Sequence, residues 1–429
     1  MHSKKKIQWA WSMYDWANSV HSLSVATALF PIYWSNITGG EEGIVNLFGI
    51  AFKSSSLYAF SLSFAFLFIA LINPLLSGIA DTKGNKKTFM RVFVLIGGFS
   101  CMGMYFFDET TIPLGLLTFI LSVMGYAGSL VFYNAYLPEI ASAKEYDKLS
   151  AKGFAMGYVG CVILLVLNLV VISNFETFGL DSKLHAIRVS FASVGVWWIG
   201  FSFIPFHYLP DNTKPKVKFS ILAGYSQSLK ILKKVMSNGN MKLFLTSFFF
   251  YAMGVQTIMY LATLFGTEEI KMDEGNLIMT VLLIQILGIV GAYFYAWMAS
   301  KIGGVRTLVS ILMIWILVCV LAYFTYTEYA FYGIAILVGF VIEVVHSMSR
   351  STYTKFLPKQ EEHNSYYSFY ELTEKLAIVM GTFSYGFIDQ ITGSMRNSIF
   401  ALSLFFATGM VFLLILRKRL KTHPIKAAE

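Results

Sequence analysis

The stretch HYLPDNTKPKVKFSILAGYSQSLKILKKVMSNGN, residues 207–240, is the longest polar interruption in an otherwise strongly apolar chain. It carries two prolines and a lysine-rich segment. A membrane-spanning helix takes about 20 predominantly apolar residues. Working outward, segments of that length fall near 10–34, 57–80, 89–107, 112–137, 152–174 and 188–208 before the interruption. They fall near 240–265, 276–299, 306–326, 329–352, 366–388 and 397–416 after it. Each should be a helix, because a segment in lipid has to satisfy its own backbone hydrogen bonds. The expected fold is an all-α polytopic membrane protein with twelve transmembrane helices. The N-terminal six-helix half is 1–208, the cytoplasmic linker 209–239, the C-terminal half 240–416 and the basic tail 417–429.

Composition agrees with this division. Of 429 residues, 56% are hydrophobic and 13% charged, against about 25% charged in a soluble domain. Cys101, Cys161 and Cys319 all sit in apolar segments and suggest neither a disulfide framework nor a metal cluster, so no cofactor is expected. The start, MHSKKKIQWAWSMYDWANS, lacks a small-residue cleavage site after an apolar core. It reads as a basic leader to a retained first span. With the N-terminus inside, 27 of the 33 lysines and arginines fall on cytoplasmic segments and 5 on outer loops, with Lys375 inside a span. That asymmetry places both termini in the cytoplasm. It also assigns the net charge of +9 to topology and anionic lipid rather than to nucleic acid.

The halves echo each other. ATALF at 26–30 resembles ATLF at 262–265, and ADTKGNK at 80–86 resembles ASKIGGV at 299–305. Six helices, a linker and six more, with these echoes, suggest two pseudo-symmetric parallel repeats, the plan of the major facilitator fold. The chain is read as a monomer.

Span eleven contains SFYELTEKLAIVMG, 368–381. After Lys375 only Leu376 to Ile388 is uncharged, about 20 Å of helix, and the hydrocarbon core is about 30 Å thick. The span must begin near Tyr366, which puts Glu371, Glu374 and Lys375 inside the membrane. The same arithmetic takes Glu343 and His346 into span ten, with Arg350 near its inner rim. Glu343 and Lys375 both lie about 15 Å from the inner ends of their helices. Glu343, His346 and Arg350, spaced i, i+3, i+7, share one face. Ionised groups at this depth cost several kcal/mol unless paired or wetted. Glu343–Lys375 and Arg350–Glu371 are the expected pairs, which leaves Glu374 without a cation and makes it the candidate proton carrier. The competing reading is a fully paired network that only fixes helix packing.

Other polar positions carry two readings each. Asp15, Asn18 and Ser22 line one face of span one. Asp15 is either a site residue or a charge at the inner rim near a helix N-terminus. His21 lies deeper and reads as a hydrogen-bonded polar residue. Tyr133 and Asn134 come late in span four, and Glu139, past Pro138, reads as an inner-gate charge. Gln256 in span seven is either substrate contact or helix–helix glue, with Gly254 allowing close approach. Trp9, Trp11, Tyr33 and Trp34 lie near span ends and read as interface anchors. In LLSGIADTKGNKK, 75–87, Asp81, Gly84, Lys86 and Lys87 form either an ordinary basic loop or a latch. The spacing resembles the major facilitator signature, Gly-x-x-x-Asp-x-x-Gly followed by basic residues. Ser77 stands at the first Gly position and Asn85 at a usual Arg position. In the second copy Ser300 replaces the Asp.

More specific motifs follow in order along the chain: YDWANS (14–19), FYNAYLPEIA (132–141), GFAMGYVG (153–160), GVQTIMYLATLFG (254–266), SRSTYTKFLP (349–358) and YYSFYELTEKLA (366–377). They resemble the vacuolar amino-acid effluxer family of the major facilitator superfamily, including its bacterial branch, from about Trp9 to Leu414. The resemblance implies a twelve-helix secondary transporter of small solutes, chiefly large neutral amino acids, working by alternating access in a bacterial plasma or vacuolar membrane. Asp15, Asn18, Arg350, Tyr370 and Lys375 match characteristic family positions. Ala252 and Met253 stand where an Asn-Asp pair is expected, and Ser368 and Glu374 where Gly is usual. An acid lost from span seven and one gained in span eleven imply either a relocated titrating site or a different substrate.

The expected function is proton-linked or facilitative carriage of an amino acid or similar zwitterion. A carrier of apolar cationic drugs is the rival, and the fixed cations Lys375 and Arg350 argue against it. No phosphate loop, nucleophile elbow or His-Glu-x-x-His is present, which argues against ATP drive and against a membrane hydrolase.

Overall fold

The computed structural model describes residues 3–38, 44–47, 49–83, 85–211, 221–272, 274–357, 363–392 and 395–422. Helix α1 (Lys4–Val20) continues through a π-helical segment, His21–Leu29, into α2 (Phe30–Thr38). The first half goes on with α3 (Ser54–Lys83), α4 (Lys86–Gly103), α5 (Ile112–Asn134), the short α6 (Leu137–Ile140), α7 (Tyr146–Ser173) and α8 (Lys183–Tyr208). Helix α9 (Ile221–Ser237) lies in the linker. Then come α10 (Gly239–Glu268), α11 (Glu274–Ile302), α12 (Gly304–Tyr323), α13 (Glu328–Phe356), α14 (His363–Thr392) and α15 (Met395–Thr422).

One departure from an all-helical chain lies in the loop before α3. Strands β1 (Ile44–Leu47) and β2 (Ile50–Lys53) pair antiparallel, with Ile44 opposite Lys53 and Leu47 opposite Ile50. Gly49 turns the hairpin at φ +81°, a conformation that residues with a Cβ avoid.

Among the described residues, ten helices are long and apolar enough to cross a membrane. The run Lys4–Thr38 and helix α14 are not among the ten. These two carry the polar residues singled out above: Asp15, Asn18 and His21 in the first, Glu371, Glu374 and Lys375 in the second. A count of twelve spans requires both.

The chain divides into two compact units. The first is Met1–Tyr136 with Met156–Tyr225, and the second is Leu137–Ala155 with Ser226–Glu429. The segment Leu137–Ala155, which includes the first turns of α7, therefore groups with the C-terminal helices.

Packing inside the units repeats. In the first, α4 packs on α5 and α8, α8 on α1, and α3 on α5. In the second, α12 packs on α13 and α15, α15 on α10, and α11 on α13. Shifting the first set by six spans gives the second. In the first unit α4 and α5 cross at Gly97 and Gly125. A Cβ on Gly125 would lie 2.5 Å from the Gly97 Cα, so the crossing admits no side chain. In the second unit a Cβ on Gly254 would meet the Phe406 ring at 2.5 Å, which is the close approach expected at that glycine.

The aromatic expectation holds for one residue of four. Trp9 is exposed, but Trp11, Tyr33 and Trp34 are buried within the first unit. Tyr33 Oη donates to the Phe107 carbonyl at 2.5 Å, and its ring meets Phe107 edge-on. The lysines of the loop after α3 are likewise inside rather than on the surface. Lys86 Nζ sits 3.8 Å above the Tyr136 ring, and Lys87 Nζ lies 2.8 Å from Asp211 and donates to the Leu209 carbonyl. Both ammonium groups gain partners that compensate their removal from water. Asp81 is buried near the end of α3, and Gly84 lies outside the described residues.

Candidate functional site

Each unit contains its own polar cluster. In the first, α1 brings Asp15 against α5, and Tyr133 Oη donates to Asp15 Oδ2 at 2.6 Å. That length is typical of a hydroxyl on a carboxylate. Trp11, one turn before Asp15, stacks on Tyr133 with ring centroids 4.5 Å apart, and its Nε1 donates to the Tyr133 carbonyl at 3.0 Å. Asn18, on the same face of α1, and Asn134 are both buried. Asp15 is thus a packed, hydrogen-bonded carboxylate rather than a loose charge at a helix start. His21 opens the π-helical segment, and its Nε2 lies 3.0 Å from Ser122 Oγ. The Ser122 hydroxyl already donates to the Phe119 carbonyl, so the imidazole donates from Nε2. A π-helical segment is uncommon and occurs often at functional sites.

In the second unit, α10, α13 and α14 converge on Glu374. Gln256 Nε2 donates to Glu374 Oε1 at 3.1 Å, and His346 Nδ1 lies 3.3 Å from the same oxygen. Lys375 Nζ donates to Glu374 Oε2 at 3.1 Å and lies 3.3 Å from Glu371 Oε2. The expectation that Glu374 lacks a cation is therefore corrected. Residues i and i+1 do not share a helix face, but the four-carbon stem of Lys375 lets its ammonium fold across. One cation then serves the carboxylates at i−4 and i−1. Gln256 is likewise not isolated, since it ties α10 to α14. The side chain of Glu343, expected opposite Lys375, lies outside the described residues.

Tyr370 is buried and stacks on Phe248 with centroids 4.4 Å apart and planes 9° from parallel. Tyr251 Oη and Ser349 Oγ, 2.6 Å apart, join α10 to α13. Arg350 follows one turn beyond His346 on α13. Next to this cluster lies a small apolar cavity of about 50 Å³, lined by Thr257, Ile258, Phe265, Val338, Tyr385 and neighbours. Thr257 and Ile258 directly follow Gln256, so the polar cluster and the apolar cavity share one stretch of α10.

A third set joins the segment Leu137–Ala155 to α13 and α14. Arg350 donates Nε to Ser150 Oγ at 2.8 Å and a terminal nitrogen to the Ser150 carbonyl at 3.0 Å. Its guanidinium lies 4.3 Å from the Phe154 ring centroid. Lys355 Nζ meets Asp147 Oδ2 at 2.5 Å, and His363 Nδ1 lies 3.6 Å from Glu139 Oε1. Sequence reading singled out Arg350 and Glu139 but not Ser150, Asp147, Lys355 or His363. Their partners lie about 200 residues away along the chain, where helical periodicity carries no signal.

Residues 3–422 match the family described as vacuole effluxer Atg22 like. The chain is 29% identical over 408 residues to an uncharacterized MFS-type transporter, YxiO, of Bacillus subtilis, covering 94% of this chain and 93% of that one. It is 23% identical over 467 residues to autophagy-related protein 22 of Yarrowia lipolytica, covering 87% and 77%. Among solved structures, the major facilitator superfamily transporter FucP superposes with a TM-score of 0.72 at 13% identity, over 96% of this chain and 98% of that one. The repeated helix packing, the polar residues set within the helices and these likenesses agree: the chain belongs to the vacuole effluxer Atg22-like family and is a membrane transporter of the major facilitator superfamily.

Proposed function

We propose that this transporter carries amino acids or similar small zwitterions by alternating access, with a proton as the coupling ion and Glu374 as its acceptor. The observation that carries the reading is Glu374 itself, an acid on a membrane helix held by Gln256, His346 and Lys375. An intramembrane carboxylate is expensive to keep ionised and is a functional group by default. A proton shared between Glu374 and His346 changes the charge of the set without breaking its hydrogen bonds.

The family resemblance expects an acid in span seven, where this chain has Ala252 and Met253. Glu374 bonds to Gln256, one helical turn along from Ala252 on the same helix. The gained acid thus reaches the helix from which one is missing, which favours relocation of the titrating site over a change of substrate class. The neighbouring cavity favours an amphipathic solute. Lys375 and Arg350 can meet a carboxylate, Glu374 an ammonium, and Ile258, Phe265 and Val338 an apolar side chain.

In this reading Arg350, Glu139, Asp147 and Lys355 form an inner latch, and Asp81, Lys86 and Lys87 a second one in the first unit. The test is flux in proteoliposomes under an imposed pH gradient, with a mixed pool of labelled amino acids. Wild type should accumulate label with the gradient, and Glu374→Gln should lose that dependence while still exchanging label at equal pH. Gradient-driven flux retained in full by Glu374→Gln overturns the coupling role. Absence of flux for every amino acid in folded wild type overturns the substrate class.

A further inference from the structure

Helix α9 has three stripes. Ile231 and Val235, spaced i and i+4, are buried. Leu229, Leu232 and Met236, spaced i, i+3 and i+7, form a second stripe and are exposed by 55%, 37% and 52%. Lys230, Lys233 and Lys234 form a third, exposed and basic. At 100° per residue, the exposed apolar stripe lies between the buried stripe and the lysines. A helix with that order of faces can lie in a membrane interface, with the apolar stripe turned toward acyl chains and the lysines at headgroup level.

A second basic element adjoins it. Asn238 ends α9 and caps α10, its Oδ1 accepting from the amides of Asn240 and Met241. Over the next residue, Gly239, lies the guanidinium of Arg419, so close that a methyl group there would overlap it. The last turns of α15 carry Arg417, Lys418, Arg419 and Lys421 and thus meet the junction of α9 and α10. Lys242, exposed on α10, lies one turn beyond that junction. No Asp or Glu occurs in residues 212–267 or 396–422. Two helix ends far apart in sequence therefore build one basic patch with an apolar edge.

We propose that this patch is a docking surface for anionic phospholipid. The Lys230, Lys233, Lys234 and Arg419 groups hold the headgroup phosphate, and Leu229, Leu232 and Met236 contact the acyl boundary. Charge complementarity selects an anionic partner. The apolar stripe beside the lysines selects a lipid over a soluble phosphate or an acidic protein, neither of which has an acyl chain to cover it. The inference stands apart from the identity of the transported solute.

The test uses the full chain, purified in neutral detergent, with lipid retention read by native mass spectrometry. The probes are phosphatidylglycerol and phosphatidylcholine, with water-soluble glycerol phosphate as competitor. Near an anionic membrane each lysine contributes about fivefold to binding. The variant Lys230→Gln/Lys233→Gln/Lys234→Gln should lose at least tenfold in phosphatidylglycerol retention, and the corresponding Lys→Arg triple should keep it. The variant Leu229→Ser/Leu232→Ser/Met236→Ser should also weaken retention, and glycerol phosphate should fail to compete at equal concentration. All six positions are exposed, so size-exclusion elution should match wild type. Equal retention of the two lipids, or wild-type retention in the Gln triple, overturns the proposal. Full displacement by glycerol phosphate, with the Ser variant unaffected, also overturns it and makes the patch a simple phosphate site.

Discussion

Replacing Lys375 by Met removes an ammonium that lies beside both Glu371 and Glu374, at 3.3 and 3.1 Å. The methionine fills a similar volume, so the change is chiefly electrostatic. Two unit charges 3.2 Å apart attract by about 5 kcal/mol at an effective dielectric constant of 20. Desolvation offsets much of that while the pair is intact. Removing one partner of a buried pair costs roughly 3–5 kcal/mol, because the other is left uncompensated. Here two carboxylates lose their cation at once, and protonation of one of them caps the loss. The expected destabilisation is therefore about 3 kcal/mol, which lowers the midpoint of thermal unfolding in detergent by roughly 3 °C. Adding Glu371→Gln to Lys375→Met removes one stranded charge and should recover at least half of the drop. A coupling of about 1–3 kcal/mol in the double-mutant cycle would match residues in direct contact. If Lys375→Met melts with wild type, or the double variant melts no higher than the single, the shared-cation account is wrong.

Two further outcomes follow from the other clusters. Tyr133→Phe deletes the hydroxyl that donates to Asp15 at 2.6 Å and should cost about 1.5–3 kcal/mol, the range for hydrogen bonds to charged groups. It is read as a lower melting midpoint with the Trp11 stacking surface intact. Asp147→Lys should destabilise the protein and slow transport, because it sets two lysines face to face where Lys355 now meets an acid. The exchange Asp147→Lys/Lys355→Asp should restore most of both, and failure of the exchange to restore either would remove this pair from the latch.

Most of the architecture was legible in the sequence because lipid forces it. An apolar run of spanning length has no stable alternative to a helix, and the linker marks where one repeat ends. The hairpin at 44–53 was missed because it lies in a loop whose four-residue strands are too short to show a period. Helix-face spacing gives the i, i+4 pair of Glu371 with Lys375, which the structure shows at 3.3 Å, but it does not give the second contact of Lys375, with Glu374. Spacing rules describe where a Cα points, and a lysine stem can bend around that direction. Trp11 was misread for a related reason. A tryptophan near a span end suits an interface, and only the position of Tyr133, 122 residues away, shows that it is an internal stacking partner. Lys86 and Lys87 looked like a basic loop because their acceptors, the carbonyls of Ala135 and Leu209, carry no sequence signature.

The two units share a packing scheme but not a chemistry. In each, a polar side-chain contact ties the first helix to the fourth: Asp15 with Tyr133 between α1 and α5, and Tyr251 with Ser349 between α10 and α13. One tie contains a carboxylate and the other only hydroxyls, while the second unit carries a carboxylate pair, Glu371 and Glu374, on α14. Duplication kept the packing of the helices and left the side chains at each tie free to diverge.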